Sequence, residues 1–194
     1  MSGLGLTLGG LGSVFGPDED DELYVEDPQQ MRSLAEQAAE ELEDASAEDV
    51  IRWATDTFGK RICVTSSMTD AVIIHLASAV RPGIDVVFLD TGYHFPETIG
   101  TRDAVQAVYP ITLVNVTPSR TVEEQDAELG PRLYGRNPDL CCYLRKVEPL
   151  ERTLKGYDSW ITGVRREETS SRRTTRVLRR EEVSSRRTPV IHAS

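Results

Sequence analysis

Hydroxyl, acidic, cationic and thiol side chains cluster in this chain at points where an apolar run stops. The first is Arg61–Ala71, RICVTSSMTDA, in which Ile62, Cys63 and Val64 read as a short buried strand. Ser66 and Ser67 turn out of that strand just ahead of a helical segment beginning near Asp70. Such a turn offers free backbone N–H groups and the positive end of a helix dipole, the means by which proteins hold phosphate or sulfate. Alone, such a turn is more often a plain helix cap than a ligand site. The glycines of a dinucleotide fingerprint or a Walker loop are absent from it. The second group, Asp90-Thr91-Gly92 with Leu89 before it, follows the apolar run IDVVFL, broken only by Asp85. The third is Gly163 with Arg165 and Arg166 after SWIT, and the fourth is the adjacent pair Cys141-Cys142 with Lys146 one helical turn on.

The elements needed to hold these groups are legible from periodicity. Helical spacing runs over 27–44 and 45–58, with Ser46 as N-cap, then over 70–80, 98–108, 122–129 and 140–154. Between them, residues 62–64, 84–89, 111–116 and 159–162 read as strands. Strands alternating with helices predict an α/β fold: a mainly parallel sheet, helices on both faces and right-handed crossovers. In such sheets ligands sit at the carboxyl ends of strands, so Ser66 and Ser67, Asp90 to Gly92, and Arg165 with Arg166 are expected on one rim. Arginine there suits two-pronged contact with tetrahedral oxyanions. His75 reads as a core or surface residue, His94 as loop packing, and Cys63 as inert.

The totals narrow the class. A chain of 194 residues, 39% hydrophobic, can bury one ordinary core. Its net charge of -10 is uneven: residues 1–60 hold fifteen acids against three bases, and residues 164–194 hold nine arginines against four acids. No general nucleic-acid affinity is expected from that distribution. No apolar stretch is long enough to cross a membrane, and the glycine-rich opening lacks the basic lead of a secretory signal. The three cysteines form no disulfide framework, which fits a reducing, cytoplasmic setting. The organisation expected is a flexible acidic lead-in over 1–27, an α/β nucleotide-binding domain over 28–163 and a basic tail over 164–194.

In this order and spacing, TSSMTDA, FLDTGYHFPET, CCYLRK and GVRREE resemble the adenosine 5'-phosphosulfate (APS) and 3'-phosphoadenosine 5'-phosphosulfate (PAPS) reductases of sulfate assimilation. The resemblance spans roughly residues 49–173. It implies an adenine-nucleotide alpha-hydrolase-like (PP-loop) fold and reduction of APS to sulfite and AMP, with thioredoxin as donor. By the same resemblance, Ser66, Ser67, Asp70, Leu89, Asp90, Thr91, Gly92, Lys146, Arg165 and Arg166 would bind substrate. Cys141 and Cys142 would supply two of the four ligands of a 4Fe-4S cluster, as in the iron-sulfur bacterial branch. A homo-oligomer stays open.

The chain also departs from that family. The family's nucleophilic cysteine and a later Cys-x-x-Cys have no counterpart, since no cysteine follows Cys142. Instead, RREETSSRRT at Arg165–Thr174 recurs as RREEVSSRRT at Arg179–Thr188, a local duplication read as a disordered, solvated tail. The sequence thus reads as an interrupted, rearranged or shortened product with impaired turnover. The alternatives are an inactive nucleotide-binding remnant, a PAPS reductase, or an ATP-using relative, although the last usually carries a Ser-Gly-Gly-x-Asp-Ser loop.

Overall fold

Apolar side chains on both sides of a strand demand cover on both sides, and the chain supplies it with helices. A computed structural model describes residues 28–164, 170, 173, 175–183 and 186–192. The lead-in expected over 1–27 lies outside the described residues. The helices are α1 (Pro28–Glu41), α2 (Ala47–Phe58), α3 (Val72–Val80), α4 (Pro96–Val108), α5 (Val122–Leu129), α6 (Leu133–Arg136), α7 (Pro138–Cys142) and α8 (Glu148–Leu154). The strands are β1 (Ile62–Thr65), β2 (Asp85–Leu89), β3 (Thr112–Val116), β4 (Ser159–Thr162), β5 (Leu178–Val183) and β6 (Arg186–His192). They form one sheet in the order β3-β2-β1-β4-β6-β5, parallel throughout except for β5, which pairs antiparallel with β6.

Alternation along each strand divides the core in two. Val64, Val86, Phe88, Ile161 and Ile191 pack with α1, α2 and α3 residues such as Ala38, Ile51 and Ile74. Cys63, Val87, Trp160 and Val190 face the other way, onto Leu154 of α8. Local signals set the helix ends. The Ser46 hydroxyl accepts from the Asp49 N–H at 3.2 Å, Pro96 opens α4, and Thr121 with Glu124 forms a reciprocal capping box on α5.

Two sequence expectations are corrected. The helix expected over 140–154 is interrupted by a π turn at Tyr143–Val147, where the Glu148 N–H reaches the Tyr143 carbonyl. Pro149, which has no N–H to donate, follows directly, so the wider turn costs the helix little. The disordered tail is also overturned for the described residues from Leu178 on: the described part of the second repeat copy lies in β5 and the start of β6. Trp160 pairs with Val190 and Ile161 with Ile191, which makes β6 the fifth parallel strand. Its apolar signal is only Val190 and Ile191, between Pro189 and His192, too short a run to read as buried. The sheet context supplies the missing half of the argument, because those two side chains fill opposite core faces.

Two protons, on a buried thiol and a half-buried phenol, give this fold a pH dependence. Burial, with Asp85 nearby, pushes the Cys63 thiol up; burial and then the hydrogen bond from Tyr157 Oη to Asp85 (2.7 Å) push the Tyr157 phenol up. Both groups hold their protons more tightly folded than unfolded, so stability is full below the ordinary thiol range and falls as pH rises past about 9. Urea midpoints are expected to drop between about pH 8 and pH 10. Tyr157→Phe is expected to flatten the upper part of that fall. A midpoint that stays level in the parent protein would contradict it.

Candidate functional site

The chain runs from β1 outward to β2 and β3, then returns to β4 on the other flank of β1. The carboxyl ends of β1 and β4 are therefore a topological switch point, where the two connections leave in opposite directions and open a crevice. A cleft of about 490 Å³ lies there. The loop after β1 contributes Thr65, Ser66, Ser67, Thr69 and Asp70 to its lining, and β2 contributes Val87 and Leu89. Thr162, Gly163 and Val164 come from the end of β4, with Ile73 of α3 and Leu150 of α8 completing the wall.

The β1–α3 loop is held by its own side chains. Ser66 N–H donates to the Val87 carbonyl at 3.1 Å, and Ser66 Oγ accepts from the Met68 N–H at 3.2 Å. Met68 takes a left-handed φ of 57° while its side chain is buried in the core, so packing holds a backbone turn that sterics disfavour. Ser67 and Thr69 share a hydrogen bond at 2.9 Å, and both are exposed to the cleft side. Asp70 accepts from the Val72 N–H at 3.1 Å and so caps α3. Hydroxyls and helix amides make a donor-rich floor, whereas Leu89, Leu150 and Ile73 make an apolar wall. That combination suits a molecule with an oxyanion at one end and a flat apolar body at the other.

Of the residues singled out by sequence, Ser66, Ser67, Asp70 and Leu89 line this cleft. Asp90, Thr91 and Gly92 stand on the same rim, beside it. Asp90 Oδ1 accepts from Gly92 N–H at 3.1 Å, and its other oxygen lies 3.5 Å from the Arg102 guanidinium, so the carboxylate shapes the turn. Thr91 is buried, with its hydroxyl accepting from the Tyr93 N–H. Gly92 has φ 76°, and a Cβ there would sit 3.1 Å from Val122 Cγ2, so both conformation and space require glycine. His94 Nε2–H donates to the Leu89 carbonyl at 2.7 Å and its ring packs on Phe88, as loop packing predicts. Lys146 is exposed within the π turn and does not line the cleft. Arg165 and Arg166 lie outside the described residues, although they follow directly on Val164. Among the described lining residues, the one charged side chain is Asp70.

Sequence reasoning missed Thr162 and Arg145. Thr162 pairs with Thr65 across β1 and β4, and its Oγ1 lies 2.8 Å from His192 Nδ1; neither partner is visible until the strand order is known. Arg145 is buried, which a cation directly beside the exposed Lys146 does not signal.

Cys141 is buried and Cys142 exposed at the end of α7. Among the described residues, no group of three or more His, Cys, Asp or Glu side chains could hold a metal ion. Two thiols are half the donor set of a four-iron cluster, so the described residues do not fit that group. No helix among them is long and apolar enough to cross a membrane.

The mainly parallel sheet with helices on both faces, and a hydroxyl-lined loop at its switch point, is a PP-loop-like α/β fold. Residues 61–194 match the phosphoadenosine phosphosulfate reductase domain family, and the chain belongs to that family. It is similar to proteins named adenosine 5'-phosphosulfate reductase from Streptomyces coelicolor (61% identical over 150 residues, 77% of this chain and 64% of that one) and Mycolicibacterium smegmatis (59% over 143 residues, 74% and 61%). The chain thus spans somewhat under two thirds of these curated relatives. A solved phosphoadenylyl-sulfate reductase from Candida auris, a phosphate complex, superposes with a TM-score of 0.68 at 28% identity, covering 84% of this chain and 78% of that one.

Proposed function

We propose that the chain is an adenylyl-sulfate reductase domain of sulfate assimilation that binds adenosine 5'-phosphosulfate in this cleft. The observation that carries the reading is the donor-rich Ser66–Asp70 loop at the switch point of a family sheet, facing an apolar wall. In this reading the phosphosulfate oxygens accept from the loop hydroxyls and the first amides of α3, and adenosine lies along Leu89 and Leu150. The family relative solved as a phosphate complex supports an oxyanion as the ligand's head. Arg165 and Arg166, next in the chain after Val164, and Lys146 would neutralise the anion's remaining charge.

Reduction to sulfite and AMP takes two electrons, which thioredoxin would deliver in a reducing cytoplasm, and it takes a thiolate able to reach the sulfate sulfur. None of the three cysteines lines the cleft, and Cys63 is buried in mid-strand. Binding with little or no turnover is therefore the function proposed for this chain. The residues at hand do not fit the family's 4Fe-4S cluster, so no step is routed through it.

Calorimetry with AMP, APS and PAPS is the test, run beside a sulfite-release assay with thioredoxin and its reductase. AMP and APS should bind, and sulfite release should be slight. An absence of binding by folded protein would overturn the reading. PAPS binding clearly tighter than APS would move the substrate to the 3'-phosphorylated class.

A further inference from the structure

Arg145 sits at the centre of the π turn, 3% exposed, with its guanidinium inserted between two loops. Nη1–H groups donate to the carbonyls of Thr91 (3.4 Å) and Arg120 (3.0 Å), Nη2–H to the carbonyl of Thr121 (2.7 Å), and Nε–H to Gln125 Oε1 (2.9 Å). Its plane lies over Tyr93, 5.5 Å from the ring centroid. No described carboxylate makes an ion pair with it. A buried guanidinium satisfied by carbonyls fixes geometry, because its donors point in a rigid fork and each anchors a separate piece of backbone.

We propose that Arg145 is a positioning residue: it locks the segment carrying Cys141 and Cys142 against the loops after β2 and β3, and so sets where the thiol pair stands relative to the cleft. Three observations support this. Thr91 is two residues from Leu89, which lines the cleft. Arg145 is four residues from Cys141, about one helical turn. Cys141 is buried although its neighbour Cys142 is exposed, as expected of a segment held firmly on one side. The consequence for chemistry rests on the functional reading above, whereas the geometry does not.

The three cysteines allow a test with an internal control. Reduced full-length protein is labelled anaerobically with iodoacetamide, and the rate at each cysteine is read by peptide mass spectrometry. Cys142 should label fast and Cys141 slowly, with Cys63, 0% exposed in β1, reporting global opening. In Arg145→Lys, Cys141 labelling should rise at least tenfold while Cys63 stays within twofold of the parent. Gln125→Met is the gentler variant, because Gln125 Nε2 is buried without a hydrogen-bond partner and its loss costs little. It should raise Cys141 labelling about threefold, and it carries the test if Arg145→Lys does not fold.

Cys141 rates unchanged in the folded variants, or Cys63 rising in step with Cys141, would overturn the proposal. Calorimetry with AMP on the same samples separates the two readings. If AMP fails to bind the parent while Cys141 still responds, the nucleotide reading falls and the positioning role stands. If AMP binds the parent and Cys141 is indifferent to both variants, the reverse holds.

Discussion

Replacing Ser67 with glutamate is expected to abolish oxyanion binding with little effect on folding. Ser67 is exposed on the cleft floor, and its hydroxyl bonds Thr69, itself exposed, so the substitution leaves the core untouched. A carboxylate there would stand against the ligand's phosphate, and like charges about 4 Å apart repel by roughly 4 kcal/mol at the effective dielectric of a protein surface. Longer approach and solvent reduce that figure, which leaves an expected loss in AMP affinity of about a hundredfold at 1.4 kcal/mol per decade. Adenosine, which lacks the phosphate, should lose less than about threefold, since its contacts in this reading are with Leu89 and Leu150. Calorimetry of Ser67→Glu with both ligands decides the matter. Equal losses for AMP and adenosine would mean that the anion does not lie on the Ser66–Asp70 loop. Ser67→Ala removes one donor and should cost only severalfold.

Phe88→Ala is expected to have the largest effect on stability. Phe88 is 0% exposed near the end of β2, in the core face shared with Ile51, Ile74 and Ile161. Its ring also supports the site, lying 5.0 Å from the His94 ring and 5.8 Å from the Arg102 guanidinium. Truncating a buried phenylalanine to alanine costs about 3–5 kcal/mol through lost transfer energy and the cavity left behind. A domain of this size has only about 5–15 kcal/mol in total, so the variant should unfold at much lower urea or remain partly unfolded at ambient temperature. Where it still folds, His94 loses the surface that holds it under the Leu89 carbonyl, and AMP affinity should fall with it. A urea midpoint shifted by less than the equivalent of about 1 kcal/mol would mean that this face of the sheet is not the packed core described.

The sequence by itself determined what local chemistry can dictate. Ile62 to Val64 are apolar without interruption and the run Ile84 to Leu89 is broken only by Asp85, the pattern of strands buried on both faces. Ser46, Pro96 and Thr121 marked helix starts because capping is a matter of a few neighbouring atoms. FLDTGYHFPET and TSSMTDA carried the family, since their spacing is local as well. The placement of Ser67 and Thr91 on one rim followed from the parallel-sheet rule once the strands were known.

Tertiary structure decided the rest, wherever a residue's role depends on a partner far along the chain. Val190 and Ile191 are too few to announce a strand. They form one because β4 presents a free edge with Trp160 and Ile161 in register and helices wait on both faces. Arg145 stands beside Lys146 in a stretch that reads only as helix, with no local sign that one cation is buried and the other exposed. Its burial follows from carbonyls at Thr91, Arg120 and Thr121 that are 24 to 54 residues away, and from the π turn that aims it at them. Asp90 reads as a ligand contact, and that its carboxylate is tied into its own turn and met by Arg102 from α4 shows only in the assembled fold. Local propensity names the parts of such a site; which of them touch the ligand and which hold the others in place depends on contacts that exist only when the sheet is assembled.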